Sequence, residues 1–437
     1  MKFTRVFAFM ALAGLAGSAF ATNGYFAHGN GMKAKGRAGA ATATYDDAFA
    51  GANNPAAAAF AGDRIDLGID WFSPIREMSR SGSTGANLGP GFSTPPMNGS
   101  SDSDSDNFFI PEFGYNKMVD PKLALGVTVY GNGGMNTDYP AINTNCGTGT
   151  NLLCGQGSLG VDLMQLIIAP TAAYKIMPNH SIGITPLIGY QRFKAEGLQA
   201  FSAISSDRAN VTNNGYDDSW GWGVRVGYMG QITPTVTIGA AYASKMDFQE
   251  FNKYSGLFAE QGDFDIPENY NLGVAWQATP QIKLAVDYQR INYSSVNSVG
   301  NPSTNFFTCN YMTMPNATGP GCLGESGGAG FGWSDVNVWK LGAEYKYNAQ
   351  WLFRAGWNHG DNPISARDVE FNTIAPAVIT DHLTLGFTYT VADGNEVTVA
   401  YMHAFENDVS GPSYFFGGTD NIKMYQNSLG VQYSWKM

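Results

Sequence analysis

The sequence predicts an all-β fold: a 14-stranded antiparallel transmembrane β-barrel with an N-terminal hatch (plug) in the lumen. Three observations predict it. Charged residues make up only 14% of the chain, aromatics 13%, and 54 of 437 residues are glycine; soluble domains carry roughly 25% charged residues. Apolar residues recur with period two, the signature of strands with two unlike faces. Connections alternate between very short and long, as in outer-membrane barrels. Beyond the amino terminus no apolar run approaches the roughly 18 residues of a spanning helix. A large secreted β-sandwich array is the competing architecture.

The elements follow in chain order. Lys2 and Arg5 precede a short apolar run, and Ala19-Phe20-Ala21 forms an A-x-A cleavage site. Residues 1–21 therefore read as a signal peptide cleaved after Ala21, which sends the chain to the bacterial outer membrane. The run is too short to anchor the chain in a bilayer. Without Lys2 and Arg5 the formal net charge falls from −11 to −13, which argues against nucleic acid as a partner.

Residues 22–62 lack period-two alternation. They are rich in Gly and Ala and include the Pro-broken stretch GANNPAAAAFAG at 51–62. A 14-stranded barrel has a lumen too wide for its own side chains to fill. A small, weakly charged segment suits that space, so 22–62 reads as the hatch. A solvated periplasmic tail would carry more charge and less alanine. Lys33, Lys35 and Arg37 form the one basic cluster of the segment. They are candidates for contact with a substrate carboxylate, or they pair with lumen acids such as Asp66 and Asp70, or with Asp46 and Asp47. The second reading is preferred.

Residues 63–437 read as the barrel. Leu429, Val431, Tyr433 and Trp435 share one face, with Gly430, Gln432, Ser434 and Lys436 on the other. Leu383, Leu385 and Phe387 alternate with Thr384, Gly386 and Thr388; Trp220, Trp222 and Val224 alternate with Gly221, Gly223 and Arg225. In a membrane barrel the apolar face meets lipid and the other lines the lumen. Six tight turns, at 118–121, 176–180, 232–235, 278–281, 347–350 and 392–395, define twelve strands. One strand before them (64–72) and one after (423–437) complete fourteen. The alternate connections, 74–106, 136–160, 195–218, 249–265, 293–332, 359–379 and 406–422, are long and polar. The register places Asp66, Asp70, Arg225, Lys283, Asp287, Lys340, Glu344, Arg354, Lys436 and His382 towards the lumen. Trp71, Tyr115, Trp276, Tyr288, Trp351, Trp357 and Trp435 suit interfacial girdles.

Cys146 and Cys154 are eight apart, and Cys309 and Cys322 thirteen apart. Neither pair has the spacing of a zinc site. In an oxidising compartment local disulfides are expected, one within each of two long loops. In the chain-entropy model each would contribute about 3 kcal/mol.

NGYFAHGNGMKAKGRAGA (23–40), DDA (46–48), the triplet Asn54, Pro55 and Ala56, IPENYNLGVAW (266–276) and LFRAGWNHGDNPIS (352–365) together resemble one family. The chain is similar to the FadL-type outer-membrane transporters of long-chain fatty acids and aromatic hydrocarbons. That resemblance implies a lumenal hatch, passive uptake of hydrophobic molecules and a kinked third strand opening a sideways gap in the wall. The third strand here is 123–139, and Gly131, Gly133 and Gly134 interrupt its outer half. Interior glycines mark bulges or close backbone approach, so they are candidates for the gap and the substrate path. They also read as the start of a flexible loop. The Asn54-Pro55 corner of the hatch is expected to lie against this break.

Motifs for chemistry are absent from the sequence. His28, His180, His359, His382 and His403 have no metal-ligand spacing. No phosphate loop occurs. The sequence thus calls for no catalytic residue, no metal and no cofactor. Expected partners are a hydrophobic small molecule and outer-membrane lipid, with the chain a monomer. A water-filled general porin, an outer-membrane enzyme with a lumenal or loop active site, and an adhesin are the alternatives. Fatty acid and neutral hydrocarbon stay open as substrates.

Overall fold

The computed structural model describes residues 23–89 and 92–437; the expected signal peptide lies outside the described residues. Fourteen antiparallel strands close on themselves. They are β1 (Arg64–Ser81), β2 (Phe108–Met118), β3 (Leu123–Tyr139), β4 (Leu159–Met177), β5 (His180–Glu196), β6 (Asp217–Thr233) and β7 (Val236–Ala243), followed by β8 (Asn269–Gln277), β9 (Ile282–Ile291), β10 (Val336–Lys346), β11 (Trp351–Gly360), β12 (Asp381–Thr390), β13 (Glu396–Pro412) and β14 (Thr419–Lys436). Each pairs with its neighbour in sequence, and β14 returns to β1 from Arg64↔Lys436 to Ser81↔Thr419. Closure means that no strand of the barrel is a terminal edge strand. Two short strands, Gly99–Asp102 and Asp247–Phe248, add to β1 and β6 outside the closed path.

The alternation translates directly into two faces. Trp222, Val224, Val226, Leu383, Leu385 and Val431 are exposed outwards, while Gln191, Thr384, Thr398 and Gln432 are fully buried inwards. The inward face is small for a definite reason. A Cβ on Gly227 would collide with the Asn54 side chain, and one on Gly239 with the Thr42 carbonyl. The strand glycines therefore make room for residues 23–62 rather than weakening the wall.

Two expectations are corrected. The strands run further outwards than their alternation does: β1 extends to Ser81 rather than 72, and β14 begins at Thr419 rather than 423. Beyond the membrane neither face meets lipid, so pairing persists where hydrophobic periodicity ends. The long connections are also not simply polar. They fold inwards and bury Phe201, Phe251, Phe264, Phe306, Phe415 and Trp333 in one continuous apolar cluster. Apolar side chains in a long connection are stable only if they gain such a core.

Candidate functional site

Residues 23–62 are tied to the wall on several sides. Lys33 reaches Glu396 at 2.5 Å, and Lys35 reaches Asp70 at 2.9 Å and also Glu112. Arg37 pairs with Asp46 within the segment and with Glu344 on β10, which in turn holds Arg354 at 2.7 Å. Asp287 accepts the backbone N–H groups of Ala41 and Thr42, both at 2.8 Å, and Asp66 that of Ala48 at 2.6 Å. These are charge-assisted bonds between buried groups, so each side chain fixes its partner in place. The basic cluster is thus engaged by acids of the wall and the segment itself, as the preferred reading held for Lys35 with Asp70 and Arg37 with Asp46.

Asn54 works as a corner brace. Its Nδ2 donates to the carbonyls of Thr42 (2.8 Å) and Tyr228 (2.9 Å), and its Oδ1 accepts from Ala56 N at 3.1 Å. Pro55, which has no N–H to satisfy, starts the 3-10 turn Pro55–Phe60. This places Asn54, Pro55 and Ala56 against Gly227 of β6 and Gly183 of β5. The expectation that this corner lies on the third strand is therefore wrong. The wall groups it meets, the Tyr228 carbonyl and the inward glycines Gly183 and Gly227, are on β5 and β6.

Nor is β3 broken at its glycines. It pairs with β4 from Leu123 to Tyr139, with one register shift between Gly131 and Gly133 that makes Asn132 a bulge. The discontinuity is on its other side. β2 and β3 pair only from Met118↔Ala124 to Phe113↔Val129. Above that, Phe108–Glu112 are bonded to β1 alone and 130–139 to β4 alone. The seam is bridged again further out: Asp104 N donates to Asp138 O at 2.8 Å, and the Arg76 guanidinium donates to the carbonyls of Asn136 and Ser105. Between the two lies an unpaired stretch of seam, the window, bounded by Phe108, Ile110, Tyr130 and Met135, all of them buried.

On the inner side of this window stands the start of the described chain. Ala27 N donates to Asn132 O at 3.2 Å, and a Cβ on Gly133 would collide with the Tyr25 carbonyl. The Tyr25 ring lies 5.2 Å from Tyr293, 5.8 Å from Trp333 and 6.0 Å from Phe264. These four rings form a partition. On its outer side is a cavity of about 30 Å³ walled by Phe193, Phe201, Phe258, Phe331 and Phe371 together with Leu257, Leu323 and Ile374. Met135 of β3 and Val161 of β4 also reach it, so the window's edge is part of the cavity wall. On its inner side is a second cavity of about 50 Å³, lined by Asn30, Asn53, Asn132, Asn271, Arg225 and Lys340. One space suits a hydrophobe and the other water or polar groups.

The sequence missed the outer cavity. Its signal was the phenylalanine content of connections read as polar. His382 does face inwards, stacked on His28 with ring centres 6.2 Å apart. Cys146 with Cys154 and Cys309 with Cys322 lie within disulfide distance, their Cα atoms 5.5 and 4.6 Å apart. The second pair directly precedes Leu323 of the cavity wall.

Residues 10–414 match the model of a family described as outer membrane protein transport protein (OMPP1/FadL/TodX). Among solved structures, a Pseudomonas aeruginosa FadL homologue is 16% identical, with 94% of this chain and 99% of that chain covered and a TM-score of 0.68. The Pseudomonas putida toluene transporter TodX is 17% identical, with 95% and 100% covered and a TM-score of 0.66. The Ralstonia pickettii toluene transporter TbuX is 18% identical, with 94% and 99% covered and a TM-score of 0.62. No curated protein matches the chain.

Proposed function

The chain belongs to the OMPP1/FadL/TodX family of outer-membrane transport proteins, and from that premise we propose that it takes up small hydrophobic molecules and releases them sideways into the membrane. It is a transport channel rather than an enzyme. Residues 22–62 act as the hatch, Lys33, Lys35 and Arg37 as its anchors, and Gly131, Gly133 and Gly134 as the substrate's path past the hatch. Export follows cleavage after Ala21, and the protein works as a monomer. Two of the similar structures are toluene transporters, which supports a hydrophobic cargo.

One observation carries the reading: the apolar cavity shares Met135 with a wall seam that is unpaired over Phe108–Glu112. A hydrophobe leaving through the hatch would meet ion pairs and amides, then periplasmic water. Exposing its surface there costs roughly 25 cal/mol per Å². Moving from the cavity through the window into lipid avoids that cost. Irregular backbone at membrane depth is tolerated only where protein or water covers it, and here the segment inside the barrel covers part of the edge, with Ala27 N donating to Asn132 O at 3.2 Å. Passive flow down a gradient requires nothing more.

Uptake of radiolabelled toluene by cells with and without the protein tests the reading, alongside ion conductance of the purified barrel. The proposal expects faster uptake with low conductance. High conductance without toluene uptake would mean a water-filled general porin instead.

A further inference from the structure

The two open substrates, fatty acid and neutral hydrocarbon, differ in one group, and the outer cavity discriminates on that group. Among its lining residues no side chain is cationic, and Ser298 is the only polar one. The Ser298 hydroxyl is already committed, donating to the Asp263 carbonyl at 2.5 Å. A carboxylate placed here would find no free side-chain donor among the lining residues. The acceptor of the Ser298 bond is a backbone carbonyl, so Ser298 brings no charge to the wall. Glu370 adjoins Phe371 of the wall, and Asp368 is buried nearby, bonded to Ser303 and Ser365.

Two cations near the cavity, Arg80 and Lys245, are held by acids. Arg80 binds Asp420 through Nε (2.5 Å) and Nη2 (3.0 Å), lies 3.7 Å from Glu370 and donates to the Leu152 carbonyl. Lys245 binds Asp265 at 2.5 Å and Asp247 at 3.0 Å. Arg225 and Lys340 line the polar cavity, beyond the Tyr25 partition. Burying an ionised carboxylate without a partner is so unfavourable that such groups neutralise instead.

We infer that the outer cavity is specific for uncharged hydrophobes and rejects their carboxylate counterparts. This rests on the uptake reading above and adds the class of cargo. Selection follows from what the wall lacks, so a ring or short chain without a charged head enters and an acid of the same shape does not.

The test is titration calorimetry on the full-length protein in lipid nanodiscs at pH 8, with empty nanodiscs as the reference for partitioning. Two matched pairs are compared: toluene with benzoate, and 1-dodecanol with dodecanoate. The inference expects the uncharged member of a pair to bind at least tenfold more tightly. Benzoate or dodecanoate binding as tightly as its partner would overturn it. If neither member of either pair binds, the uptake reading itself fails and the inference falls with it. A second variant probes the cause. Leu257, half-buried at the cavity wall, tolerates a long side chain that reaches solvent. Leu257→Arg should raise benzoate affinity at least tenfold; an unchanged preference would place the selectivity outside this cavity.

Discussion

The carbonyl of Tyr25 occupies the space that a Cβ of Gly133 would need. Position 133 on the wall and the first ring of the hatch therefore compete for one volume, and any side chain at 133 moves the partition. Gly133→Val should displace Tyr25–Ala27, disturb the partition between the two cavities and lower toluene uptake severalfold. Heat-modifiability on gels should stay that of a folded barrel. Normal uptake by the variant would separate the hatch's first residues from transport.

The hatch anchors should be individually costly. Lys35→Ala leaves Asp70 and Glu112 buried without their cation. Removing one partner of a buried ion pair costs about 3–5 kcal/mol. Planar-bilayer recordings should then show transient open events absent from the parent, because the hatch detaches while the closed strand ladder persists. Combining Lys35→Met with Asp70→Asn and Glu112→Gln, which removes the unpaired charge, should return the trace to quiet.

The outer cap should loosen as pH rises. Glu370 accepts from Ser413 Oγ at 2.7 Å and from the N–H groups of Tyr414 and Phe415. Burial, with Asp420 as the next cause, pushes its carboxyl up to about 7. A raised folded value for an acid gives stability that is full below the unfolded value near 4.5 and is lost as pH climbs to about 7. Amide-exchange protection of Tyr414 and Phe415, corrected for intrinsic rates, should fall between pH 4.5 and 7. Glu370→Gln should flatten that profile.

Arg76 closes the top of the window by reaching across it to Asn136 and Ser105. Arg76→Ala should raise hydrogen exchange at Asn136 and Thr137 by tenfold or more, with the Phe113–Met118 end of the seam unchanged. Equal protection in both proteins would show that the backbone alone holds the rim.

Much of this was legible in the sequence because lipid imposes a strict alternation. Trp222 and Leu385 had to face outwards, and Asp287 and Glu344 had to face inwards. The segment before β1 was legible as a Gly- and Ala-rich stretch without alternation, and its cations as candidates for the acids around them. What the sequence did not reveal were pairings set by close approach. Asn54 could have bonded any free carbonyl, and only the fold places Tyr228 beside it. The glycines of β3 were read as an interruption of the strand, whereas they flank a bulge at Asn132 and the unpaired stretch lies on the β2 side. The Phe-lined cavity was missed because aromatics far apart in long connections carry no period.

The central claim is that cargo leaves through the seam between β2 and β3, and the bulge at Asn132 is its most direct handle. The register runs Gly131↔Leu166 and then Gly133↔Gln165, so Asn132 is the one extra residue. Deleting it restores regular pairing with β4 without changing which face later residues occupy, and removes the kink that turns β3 from β2. Toluene uptake by cells carrying the deletion should fall at least tenfold, while toluene binding to the purified protein stays within twofold of the parent. Parental uptake with the bulge removed would contradict lateral release and favour passage through the hatch into the periplasm.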